Sequence, residues 1–315
     1  MEQLEMNGLT LTEVYCGGGL GAIGMLLAGY KIVKSYDFNA QAINAYKKNL
    51  GDHAELADLS TKDPHEFPDT DGLFGGPPCQ DYSQAGDGVG EEGERGKLVW
   101  QYVDTLRIKQ PKFFVFENVK GLISKKHRHT FDKLIAEFEA LGYNVSWKLV
   151  NAWDYGVAQK RERVFIVGIR QDLGFTFKFP EPNPAEYRTK TLHDVIGDLP
   201  APEQQVNGRY WTPKSEYTYG QANRIQSWDG PCNTIPAHHN SGQPIHPGRA
   251  PGRFTARECL RIQSVPDWYT LPEELGLGAQ YRIVGNGIAS KVAYEIGKAL
   301  ADQLSDSTNR NVSSV

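Results

Sequence analysis

Over the first 170 residues, short apolar runs alternate with segments whose apolar residues recur at helical spacing, which predicts an α/β fold with a doubly wound, mostly parallel sheet. The predicted strands end at Tyr15, Tyr36, Phe74 and Phe116, and a helix begins at about Ala22. Phe131, Leu134, Ile135, Phe138 and Leu141 share one helical face, and Gly142 is placed to end that helix. Two further runs, Tyr143 to Val150 and Arg163 to Ile169, read as strands joined by a polar link and suit an antiparallel edge. After Gln171 the period fades: prolines from Pro180 to Pro251 stand among Gly, Asn and Ser, the mark of a loop-rich lobe. Helical spacing returns from Ser290 to Ala301, where Val292, Ile296, Ala299 and Leu300 form a face that packs back on the first domain. The expected division is residues 1–180 plus 282–315 as one domain and 181–281 as a smaller domain with its hinge. The polar stretch from Ser305 is expected to be a disordered tail.

Composition narrows the class. Of 315 residues, 39% are apolar and 23% charged, and no apolar run approaches a bilayer's thickness, so a soluble chain is expected. Met1 to Thr10 lacks a basic segment followed by an apolar one, which fits a cytoplasmic protein. Cys16, Cys79, Cys232 and Cys259 lie far apart, so reduced thiols are expected rather than a disulfide framework or zinc ribbon. Cys232, His238 and His239 lack a fourth ligand at sensible spacing, and no metal is expected. The net charge of −4 disfavours broad nucleic-acid binding, leaving local basic surfaces to supply it: Lys125, Lys126 and Arg128; Lys160, Arg161 and Arg163; or Arg249, Arg253, Arg257 and Arg261.

In an open parallel sheet, ligands bind beyond the carboxyl ends of the strands. After the first strand comes Gly17-Gly18-Gly19-Leu20-Gly21, a turn that lets a cofactor approach the backbone. After the second comes Asp37, suited to a ribose diol, and after the third Ala57-Asp58-Leu59, whose carboxylate suits an adenine amino group. This set also fits a nicotinamide enzyme, because Gly19-x-Gly21-x-x-Gly24 with Asp37 satisfies the dinucleotide fingerprint.

The next strand end separates the two. In Gly75-Gly76-Pro77-Pro78-Cys79-Gln80-Asp81-Tyr82-Ser83, two prolines present a cysteine at the sheet edge, where a nucleophile is useful and a structural thiol is not. The almost wholly apolar strand Lys112 to Phe116 then runs into Glu117-Asn118-Val119. A carboxylate there is costly unless paired or functional, and burial raises its pKa, which suits a proton donor.

With these motifs the sequence resembles the DNA cytosine-C5 methyltransferases of bacterial or phage type. The resemblance runs through Tyr15 to Gly19, Asp37-Phe38, Gly75 to Ser83, Arg95 to Val99 with Tyr102, Glu117 to Val119, Gln159 to Arg163, Arg257 to Pro266, and Tyr281 to Gly287, in the family's order. It implies transfer of a methyl group from S-adenosyl-L-methionine to C5 of a cytosine flipped out of double-stranded DNA. By the same resemblance, Cys79 adds to C6, Glu117 engages N3, Arg161 holds the base's O2 and Arg163 supports the site, with Pro78, Gln80, Ser83 and Asn118 around the base. The donor falls to Tyr15, Gly17, Gly19, Asp37, Phe38, Asp58, Leu59, Asn286 and Gly287. A monomer in the cytoplasm of a prokaryote or of a phage's host, with a restriction endonuclease for the same site as its counterpart, completes the implied setting.

Three departures bear on the donor pocket: Leu20 stands for a glycine, Asp37 for a glutamate, and Gly287 with Ala289-Ser290 for an alanine and proline pair. The glycine-rich stretch Asp81 to Gly96 has the composition of a closing loop. Target reading is expected from the lobe after Gln171, with Arg209, Lys214, Arg224 and Ala237 to Gln243 as candidates. A transfer-RNA cytosine methyltransferase of the same fold, a relative transferring a modified one-carbon group and a catalytically dead DNA-binding relative are the alternatives.

Overall fold

The computed structural model describes residues 5–78, 96–214, 223–238 and 242–312. A seven-stranded sheet is built from β1 (Thr10–Val14), β2 (Lys31–Asp37), β3 (Ala54–Leu56), β4 (Gly72–Gly75), β5 (Phe113–Val119), β6 (Tyr143–Asn151) and, beyond the two-residue β7 (Gln159–Lys160), β8 (Glu162–Arg170). The strand order is β3-β2-β1-β4-β5-β8-β6. Every pairing is parallel except those of β8, which runs antiparallel to both β5 and β6, so the expected antiparallel edge is present.

The apolar strand β5 shows why the sheet is covered on both sides. Phe113 and Val115 enter one core with Leu11, Ile32, Phe165 and Val167, whereas Phe114 and Phe116 enter the other with Val14, Leu73, Val164 and Ile166. A run that is apolar at every position is the signature of a strand buried on two faces. The first core is closed by α1 (Leu20–Leu27) and α2 (Ala40–Leu50), the second by α3 (Gly96–Lys109) and α4 (Arg128–Ala140). Helix α4 ends as expected: Gly142 takes φ +88° and donates its N–H to the Glu139 carbonyl. Helix α1 starts two residues before the expected Ala22, with Gly19 at its N-cap.

The rest of the chain adds α5 (Leu192–Ile196), β9 (Cys232–Asn233), α6 (Ala256–Ile262), α7 (Leu277–Asn286) and α8 (Ser290–Val312). Thr191 and Thr255 form capping boxes with Asp194 and Glu258, which start the two short helices where apolar period is weakest. Strand β9 pairs with β7. A third apolar cluster joins Leu192, Ile235, Phe254, Leu260, Tyr281 and Val284 to Leu20, Ile23, Ala42 and Ala45 of the first two helices. No helix among the described residues is long and apolar enough to cross a membrane.

The expected disordered tail from Ser305 is corrected, because α8 continues to Val312. Its apolar stripe extends from Val292, Ile296 and Leu300 to Leu304, all buried in the first core. The Gln303 side chain donates to and accepts from the backbone of Lys178, tying the last turns to the segment beside β6.

Candidate active site

The carboxyl edges of β1, β4 and β5 gather the candidate chemistry. Glu117 lies within β5 rather than after it, opposite Phe165 on β8, and its side chain is buried. Arg163, at the start of β8, places Nε 3.1 Å from Glu117 Oε1. Burial pushes the Glu117 carboxyl above its usual range, and the Arg163 and Arg161 guanidiniums oppose that rise. A Cβ on Gly76 would stand 2.7 Å from Glu117 Oε2, so the bare backbone leaving β4 runs against this carboxylate. Asn118, also buried, donates Nδ2 to the Pro77 carbonyl at 3.4 Å. The chain that leads toward Cys79 thus passes close to Glu117 at Gly76 and is bonded to Asn118 at Pro77. Cys79, Gln80, Ser83 and the stretch from Asp81 to Arg95 lie outside the described residues, as do His239, Asn240 and Ser241.

Arg161 goes elsewhere. It is 3% exposed, and its Nη2 donates to the carbonyls of Gly285 and Gly287, each at 2.9 Å, while Nη1 reaches that of Ile235 at 3.4 Å. Three carbonyl oxygens from the end of α7 and the stretch after β9 surround one cation. Arg163 is the ion-pair partner of Glu117, and the Arg161 guanidinium acts on the same carboxyl through its charge.

On the other flank, the turn after β1 is held by Asp37. Its Oδ2 accepts the Gly17 N–H and its Oδ1 the Asn39 N–H, both at 2.8 Å, so one carboxylate braces the glycine turn and the entry to α2. Asp37 is itself buried, and a carboxylate has lone-pair sites beyond those these two bonds use. Gly19 takes φ +83°, and a Cβ there would meet Leu50 at 2.5 Å and Tyr46 at 2.7 Å, so nothing larger than glycine fits. Above Gly17 there is open space. Phe38, next to Asp37, is 63% exposed, an aromatic face free for stacking. Tyr15 takes φ +58° and donates its hydroxyl to the Leu98 carbonyl in α3. Asp58 is exposed and accepts from the Ser60 N–H and hydroxyl, whereas Leu59 is buried beside Tyr36 and Phe67 and offers no side chain to a ligand. Asn286 is exposed at the end of α7, directly before Gly287.

Residue patterns did not single out Tyr269, whose hydroxyl donates to the Gly18 carbonyl at 2.7 Å across 251 positions of sequence. Nor did they reveal the buried relay beneath the turn, Glu13 to Ser35 to Tyr46 to His53, with steps of 3.0, 2.8 and 3.0 Å. The signal for that relay was a glutamate inside the first strand, between Thr12 and Val14.

Most of the expected basic surfaces are spent internally. Arg249 pairs with Glu258 at 2.6 Å, Arg253 is buried, Arg257 donates to the Tyr269 carbonyl at 2.7 Å, and Arg261 grips Asp267 and Asp198. The expectation of a phosphate-binding cluster at these four positions is therefore corrected: the lobe has few apolar runs and uses arginines to fasten its loops. Arg209 likewise binds the Leu275 carbonyl, at 2.5 Å. Lys125, Lys126, Lys160, Lys214 and Arg224 are exposed. Gln243 donates to the carbonyls of Pro236 and His238, closing the ends of the candidate recognition stretch on each other.

Residues 9–302 match the family described as C-5 cytosine-specific DNA methylase. The type II methyltransferase M.MthTI of Methanothermobacter thermautotrophicus is 35% identical, with 94% of this chain and 98% of that protein covered. M.FnuDI of Fusobacterium nucleatum is also 35% identical, over 95% and 96%. Among solved structures, a DNA modification methyltransferase encoded within an E. coli prophage superposes with a TM-score of 0.75 at 21% identity, covering 95% of this chain and 100% of that one. The S. pombe Dnmt2 methyltransferase gives 0.72 at 21%, covering 94% and 99%. These two likenesses concern the fold.

Proposed function

Because the chain belongs to the C-5 cytosine-specific DNA methylase family, and so methylates cytosine at C5 in DNA, we propose how its own residues carry that reaction. Cys79, as thiolate, adds to C6 of a cytosine extruded from double-stranded DNA, while Glu117 delivers a proton to N3, so that the ring accepts the sulfur's electron pair. The adduct turns C5 from a poor nucleophile into an enamine carbon. When bound, S-adenosyl-L-methionine supplies the sulfonium methyl group. Loss of the C5 proton to a base then expels Cys79 and restores the aromatic ring. The observation that carries this reading is the convergence of the Gly76–Pro78 segment, Glu117, Asn118 and Arg163 at one sheet edge, beside the glycine turn.

Arg163, rather than Arg161, holds Glu117 and faces the base's O2; Arg161 clamps the chain around the site. Pro78 and Asn118 shape the approach to the base, with Gln80 and Ser83 following Cys79. For the donor, the open space above Gly17, the exposed ring of Phe38, the spare lone pairs of Asp37 and the free Asn286 fit a nucleoside joined to an amino acid. Tyr15, Gly19 and Gly287 contribute backbone, and Asp58 the carboxylate nearest an adenine amino group. Leu59 acts through its main chain. Residues 181–281 serve as target-recognition domain and hinge, and the type II names of the relatives support a restriction-modification role with a cognate endonuclease.

The two arginines are expected to separate cleanly. Arg163→Ala lowers single-turnover methyl transfer about a hundredfold with a small change in stability. Arg161→Ala leaves three carbonyls without their donor and lowers the unfolding free energy by about 3 kcal/mol. Denaturant melts beside single-turnover rates check the pair; the reverse pattern returns O2 recognition to Arg161. For the function itself, incubation with methyl-labelled donor and either duplex DNA or transfer RNA places label on DNA cytosine at C5. Label in RNA alone contradicts the proposal.

A further inference from the structure

Leu20 and Gly287 belong to distant parts of the chain and meet at the donor turn. Leu20 opens α1 directly after Gly19, is 1% exposed, and packs in the cluster of Ile23, Tyr281, Ile283 and Val284. Gly287 caps α7 with φ −67° and ψ 150°, a conformation any L-residue adopts, so its backbone does not require glycine. Space does: a Cβ at 287 would stand 2.5 Å from Leu20 Cδ2, 2.9 Å from its Cβ and 3.1 Å from its Cγ. Position 287 is bare because Leu20 fills the volume, and Leu20 fits because position 287 is bare.

Hydrogen bonds fix the contact from both sides. The Ser290 hydroxyl, at the start of α8, donates to the Leu20 carbonyl at 2.8 Å in the interior. The Gly287 carbonyl accepts from Arg161 at 2.9 Å, and its N–H donates to the Val284 carbonyl. The α7–α8 junction therefore cannot yield to a larger residue without moving Asn286 on one side or the Gly17–Gly19 turn on the other. Interiors packed at this density respond to one added methyl group.

We infer that Leu20 and Gly287 form one compensating seam that sets the spacing between the glycine turn and the Asn286 junction, and that both are positioning residues for the methyl-donor pocket. The inference rests on the donor site proposed above. Leu20 reaches no ligand itself; it fixes how far apart the two walls of the pocket stand. Two departures from the family pattern, Gly to Leu at one position and Ala to Gly at the other, then meet at one contact.

The test is equilibrium binding of S-adenosylhomocysteine to the full chain and to four variants, with donor KM, DNA KM and kcat measured in parallel. Gly287→Ala is expected to weaken binding about tenfold through overpacking, and Leu20→Gly about tenfold through the cavity it leaves. The double variant Leu20→Gly with Gly287→Ala binds more tightly than Leu20→Gly alone, because the overlap is gone and the added methyl group occupies part of the vacated space. Leu20→Ala with Gly287→Ala recovers only in part, since the Leu20 Cβ is itself 2.9 Å from the added carbon. Donor KM tracks these changes while DNA KM stays put, a split that general destabilisation does not produce. If Gly287→Ala fails to fold, adding it to Leu20→Gly must still tighten binding. Multiplicative weakening in the double variant, about a hundredfold, overturns the seam. Failure of the parent itself to bind S-adenosylhomocysteine overturns the donor reading instead.

Discussion

Serine in place of Cys79 is expected to lower methyl transfer by at least about a thousandfold, with S-adenosylhomocysteine binding held within about threefold. The two atoms differ little in size, so the pocket is preserved. The difference lies in ionisation: a thiol is partly thiolate near neutral pH, whereas a serine hydroxyl is not, and only the anion adds readily to C6. The described flank supports the assignment, since Gly76 runs close to Glu117 and the Pro77 carbonyl accepts from Asn118, two residues before the cysteine. Cys16, Cys232 and Cys259, by contrast, are buried thiols whose pKa burial drives up, which disqualifies them as nucleophiles. Single-turnover transfer and calorimetric binding, measured on the same preparation, check the outcome. Parallel loss of both would mean that Cys79 belongs to the donor site.

Glutamine at position 117 is expected to slow transfer by about a hundred- to ten-thousandfold. It keeps the shape and one hydrogen-bonding oxygen but carries no transferable carboxylic proton. The pH profile gives the sharper test. Burial raises the Glu117 pKa, so the protonated form persists to higher pH than in a free side chain and is lost as pH climbs through the raised value. Wild-type transfer should therefore fall on the alkaline side, and the fall should vanish in Glu117→Gln. Arg163 lowers that pKa by its charge, so Arg163→Ala should move the fall to still higher pH. A shift to lower pH would mean that Arg163 is not the partner of Glu117.

Much of this architecture was legible in residue pattern, for physical reasons. Strands buried on both faces must be apolar throughout, so Phe113 to Phe116 announced the sheet's centre, and the residues after such strands announced the site. Tyr143 to Val150 and Arg163 to Ile169 suited an antiparallel edge because the polar link between them shows no helical period to carry a crossover. Side-chain direction was less legible. Arg161 and Arg163 are two apart near one strand start, and neither composition nor spacing says which reaches Glu117; carbonyls supplied by residues 235, 285 and 287 decide it. Arg249, Arg257 and Arg261 looked like a nucleic-acid surface because a cluster of charge gives no sign of the acids and carbonyls that will meet it. The length of α8 escaped because Leu304 and Gln303 act through tertiary contacts that no local period reveals. Leu20 and Gly287 looked like separate oddities until the packing brought them together.

The central claim is a covalent bond between Cys79 and C6 of a DNA cytosine on the way to methyl transfer. The most direct measurement is trapping on a duplex carrying 5-fluorocytosine in a site the protein methylates, in the presence of S-adenosyl-L-methionine, followed by peptide mass analysis. Fluorine at C5 cannot leave as a proton does, so the thiol cannot be expelled once the methyl group has moved. The account predicts a stable one-to-one adduct on the peptide containing Cys79, absent in Cys79→Ser. Methylation of ordinary DNA with no adduct on the fluorinated duplex, or an adduct through another residue, would contradict it.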